Sequence, residues 1–91
     1  MSPAFQNIVD FRSNTGRAAA LKRAMIAKHL QEAQRHICDG EKRIAVQNML
    51  VAKLEERGRD ASEARALLSG LEELQAMFLD DRERLTRLLS E

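Results

Sequence analysis

Apolar residues recur along the first half of the chain in alternating steps of four and three: Ile26, Leu30, Ala33, Ile37, then past Gly40 to Ile44, and past Gln47 to Val51 and Leu54. That spacing keeps one stripe on one side of an α-helix. A second ladder repeats the steps through Ala64, Leu67, Leu71, Leu74, Phe78, Asp81, Leu85 and Leu88. Between the two ladders lies Glu-Arg-Gly-Arg-Asp, in which Gly58 can adopt the left-handed conformation that ends a helix. Asp60, with Glu63 three residues on, can open the next helix as a capping box. The pattern therefore predicts an all-α, coiled-coil-like hairpin, with helix 1 over about 17–57, a turn at 58–60 and helix 2 over about 61–90.

Residues that face each other across an antiparallel hairpin have numbers with a constant sum, and a turn centred near Gly58 and Arg59 sets that sum at 118. On this register Leu54 faces Ala64, Val51 faces Leu67, Ile44 faces Leu74, Gly40 faces Phe78 and Leu30 faces Leu88. Gly40, which costs roughly 1 kcal/mol against Ala inside a helix, then makes room for Phe78. Ile37 opposite Asp81 is the poorest level, where a small rotation would offer the stem of Arg82 instead.

Two helices, each about 45 Å long at 1.5 Å per residue, cover only one side of each other's apolar stripe. Leu50 beside the first ladder, with Leu68, Leu79 and Leu89 beside the second, widens the stripe beyond one partner helix. The expected remedy is a homodimer forming a four-helix bundle. Helix 1 also overhangs its partner, and Leu21 and Met25 point away from the seam that carries Ile26. Such a segment calls for burial on several sides, by a second copy, by the chain's own beginning or by an unidentified protein partner. Residues 1–16 form an N-terminal arm or short helix: Pro3 suits a first helical turn, Phe5, Ile8, Val9 and Phe11 cluster, and Ser13-Asn14-Thr15-Gly16 reads as a turn or helix start.

Composition adds little that contradicts this. The chain has 91 residues, three Phe, no Trp or Tyr, and a single Pro at position 3, the profile of an aliphatic helical domain. No long uncharged apolar run and no charged-then-apolar leader is present, so a cytoplasmic location is the default expectation. The lone Cys38 cannot form an internal disulfide. The net charge of +1 hides an asymmetry, since residues 11–59 carry eleven Lys and Arg against five acids, whereas residues 60–91 carry four against eight.

Candidate chemistry is thin. Arg12, Arg17, Lys22, Arg23, Lys28 and Arg35 could support a small regulator that binds nucleic acid through helix 1, the alternative reading. Against it, no aromatic residue interleaves the charges and no helix-turn-helix pattern occurs. His29 and His36 share a helical face with Glu32. The paired Glu-x-x-His set of di-metal bundles is nevertheless missing, and His36 is followed by Ile37 rather than by the acidic residue of a phosphotransfer hairpin. A membrane-surface role for the basic overhang lacks interfacial Trp or Tyr. No phosphate loop, Cys pair or nucleophile motif occurs. No enzyme activity, cofactor or metal is therefore expected.

The stretch His36-Ile37, Gly40-Glu41, Ile44, Gln47, Leu50, Leu54, Gly58, Ala64, Leu67-Leu68 resembles a family of small α-helical hairpin proteins from soil α-proteobacteria that has no assigned activity. The resemblance covers residues 36–89 and implies the hairpin and a bacterial cytosolic setting, with no functional residue carried over. The first 30 or so residues depart from it.

The reading is thus a self-associating, non-enzymatic interaction or structural module. Its seam comprises Leu30, Ile37, Gly40, Ile44, Val51, Leu54, Leu67, Leu71, Leu74, Phe78, Leu85 and Leu88. Phe5, Ile8, Phe11, Leu21, Met25, Ile26, Leu50 and Leu68 are left for self-association or a partner, with nucleic acid and membrane the weaker candidates.

Overall fold

A computed structural model describes residues 3–91, with side chains from Gly16 onward. Two helices account for it: α1 (Pro3–Glu56) and α2 (Ser62–Ser90), packed antiparallel as a rod of 85 × 16 × 16 Å. α1 passes through Ser13-Asn14-Thr15-Gly16 without a break, so the cluster expected to turn or to start a helix is helical backbone. None of those four residues costs more than about 1 kcal/mol in a helix, and elongating an existing helix avoids a new nucleation step.

The turn forms through the residue that predicted it. Gly58 has φ +66°. Its N–H donates to Glu55 O at 3.0 Å and the Arg59 N–H donates to Leu54 O at 2.9 Å, the two bonds of a Schellman cap. The expected capping box does not form. α2 begins at Ser62, with Ala61 in the cap position and no side-chain cap. Asp60 instead accepts hydrogen bonds from the Ser62 hydroxyl and from the Ser62 N–H, the latter at 3.0 Å. Because Asp60 lies two residues before the first helical position rather than at the cap, its carboxylate reaches Ser62, and no reciprocal bond from Glu63 is made.

The register also differs from expectation. Gly40 packs against Gln75, not Phe78: a Cβ placed on Gly40 would fall inside contact distance of Gln75 Oε1. Gln75 Nε2 donates to Ile37 O at 2.9 Å, and Gln47 Nε2 donates to Ala64 O at 2.9 Å. Facing numbers therefore add to about 115, as in the Gly40–Gln75 and His36–Phe78 pairs, rather than to 118. The α1 seam is as read, with Ala33, Ile37 and Gln47 buried and Ile26, Leu30, Gly40, Ile44, Val51 and Leu54 half-buried.

On α2 the buried stripe turns by one residue. Ala61, Ala64 and Leu85 are buried and Leu68, Leu71, Gln75, Phe78, Leu88 and Leu89 half-buried, whereas Leu67 is 56% and Leu74 39% exposed. Leu67 and Leu74 are thus not seam residues, and Leu68, assigned to the outer surface, belongs to the seam. One cross-seam hydrogen bond from each glutamine amide explains the rotation. Gln75 can occupy the seam because a carbonyl on α1 accepts from its amide and Gly40 leaves room for its side chain, so it costs far less than an unpaired buried amide. The poor level disappears because Ile37 faces Phe78 on this register, and Asp81 and Arg82 are both exposed.

The far end is held by Arg23, whose guanidinium donates to Leu89 O at 3.1 Å and so satisfies a terminal carbonyl of α2. Residues before about Ala24 have no α2 residue level with them on this register, and Leu21 and Met25 are 65% and 58% exposed. Phe5, Ile8 and Phe11, expected to cover that segment, carry side chains outside the described ones.

Two outcomes are expected. Replacing Gln47 and Gln75 together by Leu should leave thermal stability equal or higher, because each bond contributes only about 1 kcal/mol. The register should loosen, because buried polar groups specify pairing more than they stabilise it. Amide NMR spectra would show extra or broadened seam resonances, and a single sharp set would contradict the assignment of register control to the glutamines.

The second outcome concerns acid. The Ser62 hydroxyl, then the Ser62 N–H, hold the Asp60 carboxyl below its ordinary range, with slight desolvation opposing them and Arg65 assisting. A depressed folded value means that the stabilisation is present above the unfolded carboxylate value, about 3.9, and fades as pH falls through the folded one. The melting temperature of Asp60→Ala should therefore lie below that of the parent at pH 7 and converge on it in strong acid.

Candidate interaction surface

With α1 and α2 locked at this register, the two flanks of the seam are chemically different. In heptad terms the seam takes positions a and d, and in an antiparallel pair the e positions of both helices line one flank while the g positions line the other. The e flank consists of Ala27, Gln34, Glu41, Asn48 and Glu55 from α1 and Arg65, Glu72, Leu79 and Thr86 from α2. It is polar apart from Ala27 and Leu79, and Arg65 clasps Glu55 beside the turn through two bonds of 2.8 and 3.1 Å to one oxygen. That pair is exposed on both sides and contributes at most about 1 kcal/mol.

The g flank carries the apolar surplus. Val46, Leu50, Leu67, Leu74 and Met77 lie on it, with 66%, 45%, 56%, 39% and 63% exposure, and Met49 borders it. Near the turn it opens into a groove of about 410 Å³ whose floor is Gln47 and Leu71 and whose walls are Val46, Leu67 and the stems of Lys42 and Arg43. Further from the turn the same flank becomes polar, in a depression of about 320 Å³ lined by His29, Glu32, His36, Phe78, Asp81 and Arg84.

At the floor of that depression the His36 and Phe78 rings stack, with centroids 4.8 Å apart and planes at 12°. Phe78, expected to fill the space over Gly40, is thus covered by an imidazole one turn away. His29, Glu32 and His36 do share a face, but among the described residues no three His, Cys, Asp or Glu side chains are placed to hold a metal ion. Cys38 lies on the solvent side of α1 and is exposed. No helix is long and apolar enough to cross a membrane.

Of the residues assigned to an outer surface, Leu21, Met25 and Leu50 are exposed, Ile26 is half-buried level with Leu89, and Leu68 has moved into the seam. The structure adds Val46, Leu67 and Leu74 to the surface as one contiguous group with Leu50. Val46 alone carried a signal, standing four residues before Leu50 and one before the seam position Gln47, whereas Leu67 and Leu74 fall one step off the seam only once Leu68 and Gln75 occupy it. Compared with known protein families, curated proteins and solved structures, the chain finds no match.

The ring stack can be measured directly. Phe78→Ala should cost about 1–3 kcal/mol, less than the roughly 3–5 of a fully buried Phe, because the ring is only half covered. His36→Ala should cost less, and the double-mutant cycle should return a coupling of about 0.5–1.5 kcal/mol. Additive losses would mean that the rings do not interact in solution.

Proposed function

We propose that this chain is a non-enzymatic helical interaction module that associates with itself through the g flank of the hairpin. The observation that supports this reading is the one-sided distribution of exposed apolar side chains. Val46 and Leu67 wall one groove, with exposed Leu50 and Leu74 further along the same flank, while the opposite flank is polar over most of its length. Contiguous apolar patches on this scale mark binding sites.

The core of the single hairpin points the same way. Among the described residues the buried apolar side chains are Ala33, Ile37, Ala61, Ala64 and Leu85, and no large side chain is fully covered. A second hairpin on the g flank would complete a four-helix core of the kind such bundles use. A bacterial cytosolic setting, carried by the family resemblance, is compatible with the lone reduced Cys38.

Light scattering should return about twice 10.3 kDa, with a melting temperature that rises with protein concentration because folding is linked to assembly. Val46→Glu with Leu67→Glu should yield a folded monomer, whereas Leu79→Glu, on the other flank, should keep the parent mass. A parent protein that is monomeric at high micromolar concentration would exclude self-association.

A second reading has exposed Arg17 and Lys22 on the overhang, and Lys28 just beyond it, in its favour. Nucleic-acid binding through them would appear in a gel shift as affinity that falls steeply with salt, a behaviour the apolar flank would not produce.

A further inference from the structure

We infer that the second copy packs with its turn at the same end as the first, on a two-fold axis running along the helices, so that α1 of each hairpin lies on α2 of the other. This rests on the self-association reading above and adds its geometry. The first argument is the division of the g flank along its length, apolar near the turn around Val46 and Leu67 and polar further away around Glu32 and Asp81. A partner laid over the full length with its turn at the opposite end would press Glu32 and Asp81 onto that apolar groove, burying unpaired carboxylates. A partner inverted and then slid until groove meets groove would overlap only near the turns and leave half of each hairpin uncovered. With the turns together, apolar meets apolar and polar meets polar over the whole of α2.

Two further observations fit only this arrangement. With the turns together, the two copies face each other at the hairpin's own register, which brings Lys42 level with the partner's Glu73, Arg35 with the partner's Asp80, Lys53 with the partner's Glu63 and Glu32 with the partner's Arg84. One like pair, Lys28 with the partner's Arg87, falls at the open end. Such border charges add little affinity but select orientation. The other observation is Gly70, a helix-interior glycine around which nothing within the hairpin comes within 4 Å of an added Cβ. Its own fold gives no reason for a residue that weakens a helix. In the two-fold arrangement Gly70 lies level with the partner's Val46, and a missing side chain lets the two helices approach closely.

The test is a distance. In a Cys38→Ser background, a nitroxide label on Arg59→Cys reports the separation of the two turns by pulsed dipolar spectroscopy. Neighbouring turns, with helices about 10 Å apart plus the label arms, should give a narrow distribution at roughly 20–30 Å. Turns at opposite ends of 29-residue helices, about 1.5 Å per residue, would give about 40 Å or more and would overturn the arrangement while leaving self-association intact. A monomeric mass with no dipolar signal would overturn both. As an independent check, Lys42→Glu should weaken dimerisation roughly fivefold or more, since two symmetry-related pairs turn repulsive, and adding Glu73→Lys should restore it. An unchanged dissociation constant in Lys42→Glu would count against this pairing.

Discussion

The hairpin depends on two glutamines that reach across the seam in opposite directions, Gln47 from α1 to Ala64 O and Gln75 from α2 to Ile37 O. Each places an amide among aliphatic side chains, where an unpaired donor would cost more than the bond contributes. Sliding the helices by one turn would move Gln75 off Gly40 and onto Ile37 or Ile44, seam positions whose side chains occupy the space it needs. The register is therefore selected less by the attraction of its apolar layers than by the penalty on every alternative. Gly40 belongs to the same constraint, because only a residue without Cβ leaves the Gln75 amide its place. Gln75 Oε1 is buried without a hydrogen-bond partner, a local cost that the Nε2 bond and the surrounding packing offset.

From that register the exposed apolar flank follows. Once Gln75 and Leu68 occupy the seam of α2, Leu67 and Leu74 are carried one position outward and join Val46 and Leu50 on a single flank. The hairpin thus moves two large leucines out of its own interior and gathers them beside the groove. Small residues do much of the interior packing, Ala33, Ala61 and Ala64 among them, which brings the helices close but buries little apolar area per residue. Hydrophobic stabilisation scales with that area, so a rod only 16 Å across gains little of it per residue.

Charge has a secondary part. The one cross-helix ion pair among the described side chains, Glu55 with Arg65, sits exposed beside the turn, and the Asp81–Arg84 pair lies within one helix. Neither explains the fold. The charges at the outer border of the g flank are arranged along α1 and α2 in complementary order instead, a pattern with more to do with the orientation of a partner than with the stability of one chain.

The sequence by itself determined the hairpin, the Gly58 turn and the whole buried stripe of α1, because there a single apolar ladder had no competitor. On α2 two stripes share Ala64, Leu71, Phe78 and Leu85 and differ in whether Leu67, Leu74, Asp81 and Leu88 or Leu68, Gln75, Arg82 and Leu89 complete them. Ranked by apolarity the first stripe wins, and the seam read from sequence took it. Only the tertiary structure decided for the second, since the cost of placing Gln75 inside depends on whether Ile37 O lies within reach and Gly40 leaves space, and these are facts about a facing helix. The exposed groove was illegible for the same reason. Which leucines face outward is known only after hydrogen bonding across the seam has chosen which ones face in.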